Sequence, residues 1–148
     1  MKVTPIDLKK ILTIYKPMNE KAHKGTQGHS LIIGGSYGKI GSMVLSSKAC
    51  LKSGCGLVTV FIPKCGYTIL QTALPEAMVL TDDDEKCISK IKFEIKPNAI
   101  AIGMGMGQEL RTQKAFHSFL KSNDKNLLVD ADGLNMLSKK QGFIRITS

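Results

Sequence analysis

The sequence is constrained most by short apolar segments that stop at a glycine or an aspartate. Leu31 to Ile33 is followed by two glycines, Ala99 to Ile102 continues into a glycine-rich loop, and Leu127 to Val129 ends at Asp130. Strands that are apolar throughout are typical of parallel sheets whose two faces are both covered. We therefore interpret each segment as a buried strand that ends at one edge of a parallel sheet.

Segments with helical character lie between these strands. We predict helices near residues 42–53, 67–73, 108–121 and 133–140, and further strands at 57–62, within 75–80 and at 143–146. The alternation of apolar strands with helices predicts an α/β fold with three layers, α/β/α, and a mostly parallel sheet. A chain of 148 residues is long enough for one such domain.

Residues 1–24 precede this alternation and differ from it in composition. They carry six lysines and a helical stretch near Ile6 to Tyr15, which Pro17 brings to an end. We predict an amino-terminal arm and helix over residues 1–24 and one domain over residues 25–148.

Charge and apolar content disfavour several classes of protein. The net charge is +9, but the lysines are scattered and aromatic residues make up only 5%, so we expect no nucleic-acid partner. No apolar run reaches the roughly 18 residues of a membrane span, and no leader is recognisable, so we expect a cytoplasmic protein without a membrane partner. The four cysteines form no CxxC pair, which favours reduced thiols over a metal site.

Two glycine-rich loops follow predicted strands at the edge where parallel α/β sheets bind ligands. The first loop, residues 34–42, contains Gly34, Gly35, Ser36 and Gly41, whose backbone could hold a phosphate at the start of a helix. It is neither a P-loop nor a dinucleotide fingerprint, because its residue types and glycine spacing differ from both. The second loop, residues 103–107, fits a pocket wall or a plain turn.

Two carboxylates follow the last of these strands at the same edge. Asp130 and Asp132 are placed where carboxylates commonly contact magnesium or a sugar hydroxyl, although one of them could serve only to cap the next helix. Lys39 either reaches a phosphate or solvates its loop, and the sequence leaves both readings open. The acidic run at residues 82–85 is predicted to be a solvated loop or the start of a helix rather than a metal site.

Taken together, these motifs resemble one family in order and spacing from about residue 24 to residue 137. The matching segments are residues 24–29, 31–36, 41–42, 52–60, 75–78, the second loop and Asp130-Ala131-Asp132-Gly133-Leu134-Asn135. The chain is similar to the NAD(P)H-hydrate dehydratases, and this resemblance implies a ribokinase-like fold.

The resemblance also implies a reaction and a set of site residues. In this family the S-form of NAD(P)H hydrate is dehydrated back to NAD(P)H at the expense of ADP or ATP with Mg²⁺, so nucleotides are the implied small-molecule partners. Ser42 and Gly105 would bind the hydrate. Independently of the resemblance, the glycine loops offer Gly34, Gly35, Ser36, Gly41 and Gly103 as a possible nucleotide or phosphate loop, and Asp130, Asp132 and Asn135 are the possible contacts of magnesium or a hydroxyl. A homo-oligomer is implied as well for the full-length members of the family.

The family continues through segments that do not occur among these 148 residues. They are a Pro-His-Pro-Gly-Glu segment, a Lys-Gly-containing strand and a Gly-Thr-Gly-Asp motif whose aspartate acts as base. The resemblance therefore implies a truncated, amino-terminal part of the domain that contains no catalytic residue. The alternative to a dehydratase is a non-catalytic nucleotide-binding remnant or subunit. The choices between ADP and ATP, and between NADH and NADPH hydrate, stay open.

Overall fold

The computed structural model describes residues 5–15, 17 and 23–139. The described elements are α1 (Leu8–Ile14), β1 (His29–Ile33), α2 (Gly41–Lys52), β2 (Leu57–Ile62), a 3-10 turn (Lys64–Gly66), α3 (Tyr67–Ala73), β3 (Met78–Thr81), β4 (Ala99–Ile102), α4 (Leu110–Ser122), β5 (Asn126–Val129) and α5 (Asp132–Ser138).

The five strands form one sheet in the order β3-β2-β1-β4-β5, and every neighbouring pair is parallel. The chain adds β2 and β3 on one side of β1 and then crosses to add β4 and β5 on the other side. The order therefore reverses between β1 and β4. In open parallel sheets this reversal leaves a crevice beyond the carboxyl ends of the two strands.

Two apolar clusters cover the two faces of the sheet. One includes Ile32, Met43, Val60 and Leu70, so α2 and α3 form that layer. The other includes Leu31, Ile102 and Phe116, so α4 belongs to the opposite layer, joined there by apolar residues of segment 82–98. The expected three-layer α/β architecture with a parallel sheet is confirmed.

Most predicted elements are present, with ends shifted by a few residues. The predicted β2 and α3 have the observed bounds, whereas the extended segment within 75–80 becomes β3 at Met78–Thr81. The strand expected at 143–146 lies outside the described residues, as does part of the arm over residues 1–24. Where α1 is described, all of its residues are exposed.

The acidic run at 82–85 departs from the solvated loop that was expected. Asp82 is only 3% exposed, and its carboxylate accepts hydrogen bonds from the backbone N–H groups of Asp84, Ser89 and Lys90 at 2.7–2.8 Å. The Ser89 hydroxyl adds a fourth bond at 2.8 Å. The prediction of a solvated loop was therefore wrong for Asp82. A buried carboxylate that accepts several hydrogen bonds can fix the position of a segment that forms neither helix nor strand.

Candidate functional site at the reversal of strand order

Three loops meet beyond the carboxyl ends of β1, β4 and β5. The first loop follows β1, the second follows β4, and a third loop, residues 130–132, leads from β5 into α5. Gly103 N–H donates to the Ile33 carbonyl at 3.1 Å, and Asp130 N–H donates to the Ile102 carbonyl at 3.1 Å. These bonds extend the strand pairing into the loops and place all three around the crevice.

The first and second loops are joined by direct hydrogen bonds. Gly35 N–H donates to the Met104 carbonyl at 2.9 Å, and the Ser36 hydroxyl donates to the Gly105 carbonyl at 2.9 Å. The Gly34 N–H donates to the Phe61 carbonyl at 3.1 Å. The backbone N–H groups of Gly34 and Gly35 therefore already donate to carbonyls of the protein and are not available to bind a phosphate.

Glycine is required at two positions of the second loop. Gly105 has a φ of +58°, and a Cβ there would overlap the Ser42 hydroxyl oxygen. Gly103 has a φ of +119°, and a Cβ there would overlap the Asp130 carbonyl. Both backbone angles disfavour a side chain, and both close approaches forbid one. The second loop can thus contact the first loop on one side and the third loop on the other.

Other backbone amides at this edge remain available. Within the described residues, the N–H groups of Ser36, Gly38, Gly41 and Gly105 donate to no acceptor of the protein. A Cβ added at Gly38 or Gly41 would meet no atom within 4 Å, so the space beside them is open. Gly41 is also the first residue of α2, where the helix dipole favours an anion.

Asp132 ties the three loops together. Its carboxylate accepts the Gly107 N–H at 2.9 Å and the Gln108 side-chain amide at 3.1 Å, and it lies 3.8 Å from the Lys39 ammonium. Its side chain is 17% exposed, against 55% for that of Lys39. Desolvation raises the pKa of Asp132, but the bonds from Gly107 and Gln108 and the charge of Lys39 outweigh it, so the pKa lies below its ordinary value.

The predicted site residues differ in what they contact. Ser42 and Gly105 lie against each other, with the Ser42 hydroxyl donating to the Lys39 carbonyl at 2.8 Å. Asp130 is exposed, and its side chain makes no hydrogen bond or ion pair in the described part of the chain. Neither aspartate caps α5 through its side chain, because Ala131 is the N-cap residue. The exposed Asn135 lies one turn into α5, near Asp132.

Sequence reasoning missed Gln108 and left Lys39 unassigned. Gln108 contacts a carboxylate 24 residues away, and no local pattern signals such a contact. Tyr37 was also missed: it is 70% exposed in the first loop, with the Lys86 ammonium 5.6 Å from the centre of its ring. An exposed aromatic residue inside a glycine-rich loop was the available signal for this residue.

Parallel strands, a reversal of strand order and glycine loops at that point define a doubly wound type of α/β domain, the class of fold whose members bind ligands at this crevice. The fold is ribokinase-like: a ribokinase-like superfamily protein from Enterococcus faecalis matches with a TM-score of 0.69 at 23% identity, over 83% of this chain and 43% of that one. The model of a family described as NAD(P)H-hydrate dehydratase matches residues 30–147. The chain belongs to that family.

Relatives with assigned activities are longer than this chain. The ADP-dependent (S)-NAD(P)H-hydrate dehydratase of Staphylococcus aureus is 37% identical over 123 residues, which are 81% of this chain and 44% of the relative. The ADP/ATP-dependent NAD(P)H-hydrate dehydratase of Bacillus subtilis, co-crystallised with ATP and Mg²⁺, matches with a TM-score of 0.71 at 26% identity, over 85% of this chain and 45% of that one. The chain spans about half the length of these relatives.

No helix in the described part of the chain is long and apolar enough to cross a membrane. The same residues contain no cluster of three histidine, cysteine or acidic side chains that could hold a metal ion by themselves.

Proposed function

We propose that the chain provides the hydrate-binding half of an ADP- or ATP-dependent dehydratase that acts on the S-form of NAD(P)H hydrate. The observation that carries this proposal is the direct contact between Ser42 and Gly105 at the crevice between β1 and β4. The family resemblance assigns both residues to the hydrate, although they come from different loops. A shared binding role requires that they be neighbours.

The available amides support an anion beside this contact. Gly41 N–H and Gly105 N–H have no acceptor in the described part of the chain, and Gly41 opens α2. Backbone donors fixed around a crevice stabilise phosphate oxygens without reorganising, and this is the form of catalysis that phosphoryl transfer depends on. Within the proposed phosphate loop, we assign the anion contact to Gly41 and assign Gly34, Gly35 and Gly103 to loop packing.

Magnesium would supply charge neutralisation in phosphoryl transfer if carboxylate oxygens at this edge held it. Asp130 fits such a role, because it is exposed and its carboxylate forms no hydrogen bond or ion pair with the described residues. Asp132 fits it less well, because Lys39, Gly107 and Gln108 already engage its oxygens. We therefore propose Asp130 as the magnesium or hydroxyl contact, with Asn135, whose side chain interacts with Asp132, as a second candidate.

A homo-oligomer forms part of the same proposal. In α1 and its flanks the side chains of Ile6, Leu12 and Ile14 are 75%, 60% and 73% exposed, and a helix of seven residues gains little stability without packing. Apolar surface of this kind favours self-association. A monomer in sedimentation velocity at all accessible concentrations contradicts this part of the proposal.

The test of the hydrate site is a calorimetric titration of the 148-residue chain with the S-form of NADPH hydrate. We expect saturable binding to the wild-type chain and none to Gly41→Val, because a branched side chain fills the open space beside the free amide. Ala49→Val is the matched control, since Ala49 is an exposed residue of the same helix, α2. Equal affinity of Gly41→Val and Ala49→Val would exclude the first loop as the ligand site.

A further inference from the structure

Tyr37 presents an exposed aromatic ring in the first loop, at the carboxyl edge of the sheet. The residue is 70% exposed, yet its backbone N–H donates to the Lys86 carbonyl at 2.8 Å. The Lys86 ammonium also lies 5.6 Å from the centre of the ring, and a cation at such a distance is attracted to an aromatic face. Segment 82–98 therefore positions the ring, while most of the ring surface faces solvent.

The turn that carries Lys86 is itself held in place by Asp84. The Asp84 carboxylate accepts the backbone N–H groups of Lys86 at 2.8 Å and of Cys87 at 3.1 Å, and these two bonds hold the pKa of Asp84 below its ordinary value. The Arg111 guanidinium of α4 pairs with the same carboxylate at 3.2 Å. Tyr37 is thus supported by a fixed turn, and a binding group that is fixed beforehand loses less entropy when a ligand arrives.

Unused backbone donors lie between Tyr37 and Ser42 along the first loop. The N–H groups of Gly38 and Gly41 donate to no acceptor in the described part of the chain, and the space beside both residues is open. Ser42 follows, in contact with Gly105. The loop therefore offers an aromatic ring, then donors for an anion, then the proposed hydrate contact. A dinucleotide has its parts in the same order: an aromatic base, a pyrophosphate and a second ring.

From this order we propose that Tyr37 stacks on the adenine of the dinucleotide and makes the site specific for dinucleotide hydrates over mononucleotide hydrates. The inference rests on the proposed function, because it takes the hydrated nicotinamide ring to lie at Ser42 and Gly105. The hydrated ring contains tetrahedral carbons and is not aromatic, whereas adenine is planar and stacks well on an aromatic side chain. The pyrophosphate lies between the two rings, beside the N–H groups of Gly38 and Gly41.

The experiment titrates the full 148-residue chain with two ligands that carry the same hydrated ring. One is the S-form of NADH hydrate, and the other is the corresponding hydrate of reduced nicotinamide mononucleotide, which lacks the adenosine part. Calorimetry should show that Tyr37→Ala lowers the affinity for the dinucleotide by about tenfold, the contribution of one stacked base, and leaves the affinity for the mononucleotide nearly unchanged. Tyr37→Phe keeps the ring and should keep the affinity for both ligands. No loss in Tyr37→Ala, or an equal loss for both ligands, would overturn the proposal.

Tyr15→Ala is the matched control, because Tyr15 is 63% exposed and lies beside Lys52 and Gly54 at the far end of the 12-residue helix α2. It should leave both affinities unchanged. In NMR spectra the ring protons of Tyr37 should shift upfield with NADH hydrate and not with the mononucleotide, because only a stacked base shields them. Failure of the proposed function has a different signature: the wild-type chain then binds neither ligand, which overturns both proposals. A wild-type chain that binds both ligands equally tightly overturns the stacking alone.

Discussion

Ala131 is the residue whose backbone departs most from what its side chain prefers. Its φ and ψ are 49° and −120°, and it is the one non-glycine residue with positive φ in the described part of the chain. Such a conformation costs about 1–3 kcal/mol unless the surroundings enforce it. The turn at Ala131 separates the exposed Asp130 from Asp132, which reaches back to Gly107. The strain is therefore associated with the geometry of the third loop.

We predict that Ala131→Gly raises the free energy of unfolding by about 1 kcal/mol, because relief of the strain exceeds the entropy cost of glycine. Chemical denaturation followed by circular dichroism measures the change. Ala49→Gly is the control, since it places the same substitution in the exposed interior of α2 and should destabilise by about 1 kcal/mol. A similar loss of stability in both variants would show that Ala131 is not strained.

The sequence indicated the site residues better than it indicated their partners. Asp130 and Asp132 were placed at the correct edge of the sheet, because the end of an apolar strand can be read locally. The sequence did not show which of the two carboxylates is engaged by other side chains, because Lys39 and Gln108 reach Asp132 from other loops. The hydrogen bond from the Gly35 N–H to the Met104 carbonyl could not be predicted for the same reason, because it depends on the distance between two loops.

At the scale of elements, the strands and helices were predictable where apolar periodicity is strong. β2 consists of Leu57–Ile62 as predicted, and α4 covers Leu110–Ser122 against the predicted 108–121. Segment 82–98 was not predictable in the same way. It has no helix or strand periodicity, and the buried Asp82 fixes its first part through bonds to Asp84, Ser89 and Lys90.

The contacts of Asp132 with the other two loops give a prediction for how the stability of the protein depends on pH. We expect Asp132→Asn to lower stability at pH 7 by about 1–2 kcal/mol, because the variant loses the charge that Lys39, Gly107 and Gln108 engage. The folded pKa of Asp132 lies below its unfolded value. Its stabilising contribution is therefore complete above the unfolded pKa, about 3.9, and is lost as pH falls through the folded pKa.

Denaturation of wild type and Asp132→Asn between pH 7 and pH 2.5 or so, spanning the ordinary aspartate range, tests this sign. The stability difference should shrink at the acid end. Asp124→Asn serves as control, because the Asp124 side chain is 82% exposed and, among the described residues, forms an ion pair only with its neighbour Lys125, at 3.6 Å. Exposed pairs of this kind contribute about 0–1 kcal/mol. A wild-type and Asp132→Asn difference that stays constant with pH would show that the carboxylate charge is not what ties the loops.

At the scale of the whole molecule, the described residues already form apolar clusters on both faces of a five-stranded sheet. The crevice between β1 and β4 lies inside this body, and its three loops contact one another directly. The proposed function therefore treats binding at the crevice and catalysis as separable. In that proposal, binding depends on the described loops, whereas the family resemblance implies that phosphoryl transfer also needs a base in a segment that does not occur among these 148 residues.

We predict that the isolated chain binds the hydrate but does not restore NADPH from it at a measurable rate. A positioned base contributes about 10² to 10⁴-fold to such reactions. Of the carboxylates at the crevice, Asp132 is held by Lys39, Gly107 and Gln108, and its lowered pKa makes it a weak base. The assay follows the return of nicotinamide absorbance with ADP or ATP and magnesium, using the dehydratase of Bacillus subtilis as positive control. Robust turnover by the isolated chain would contradict this prediction and show that an acid present in these 148 residues serves as the base.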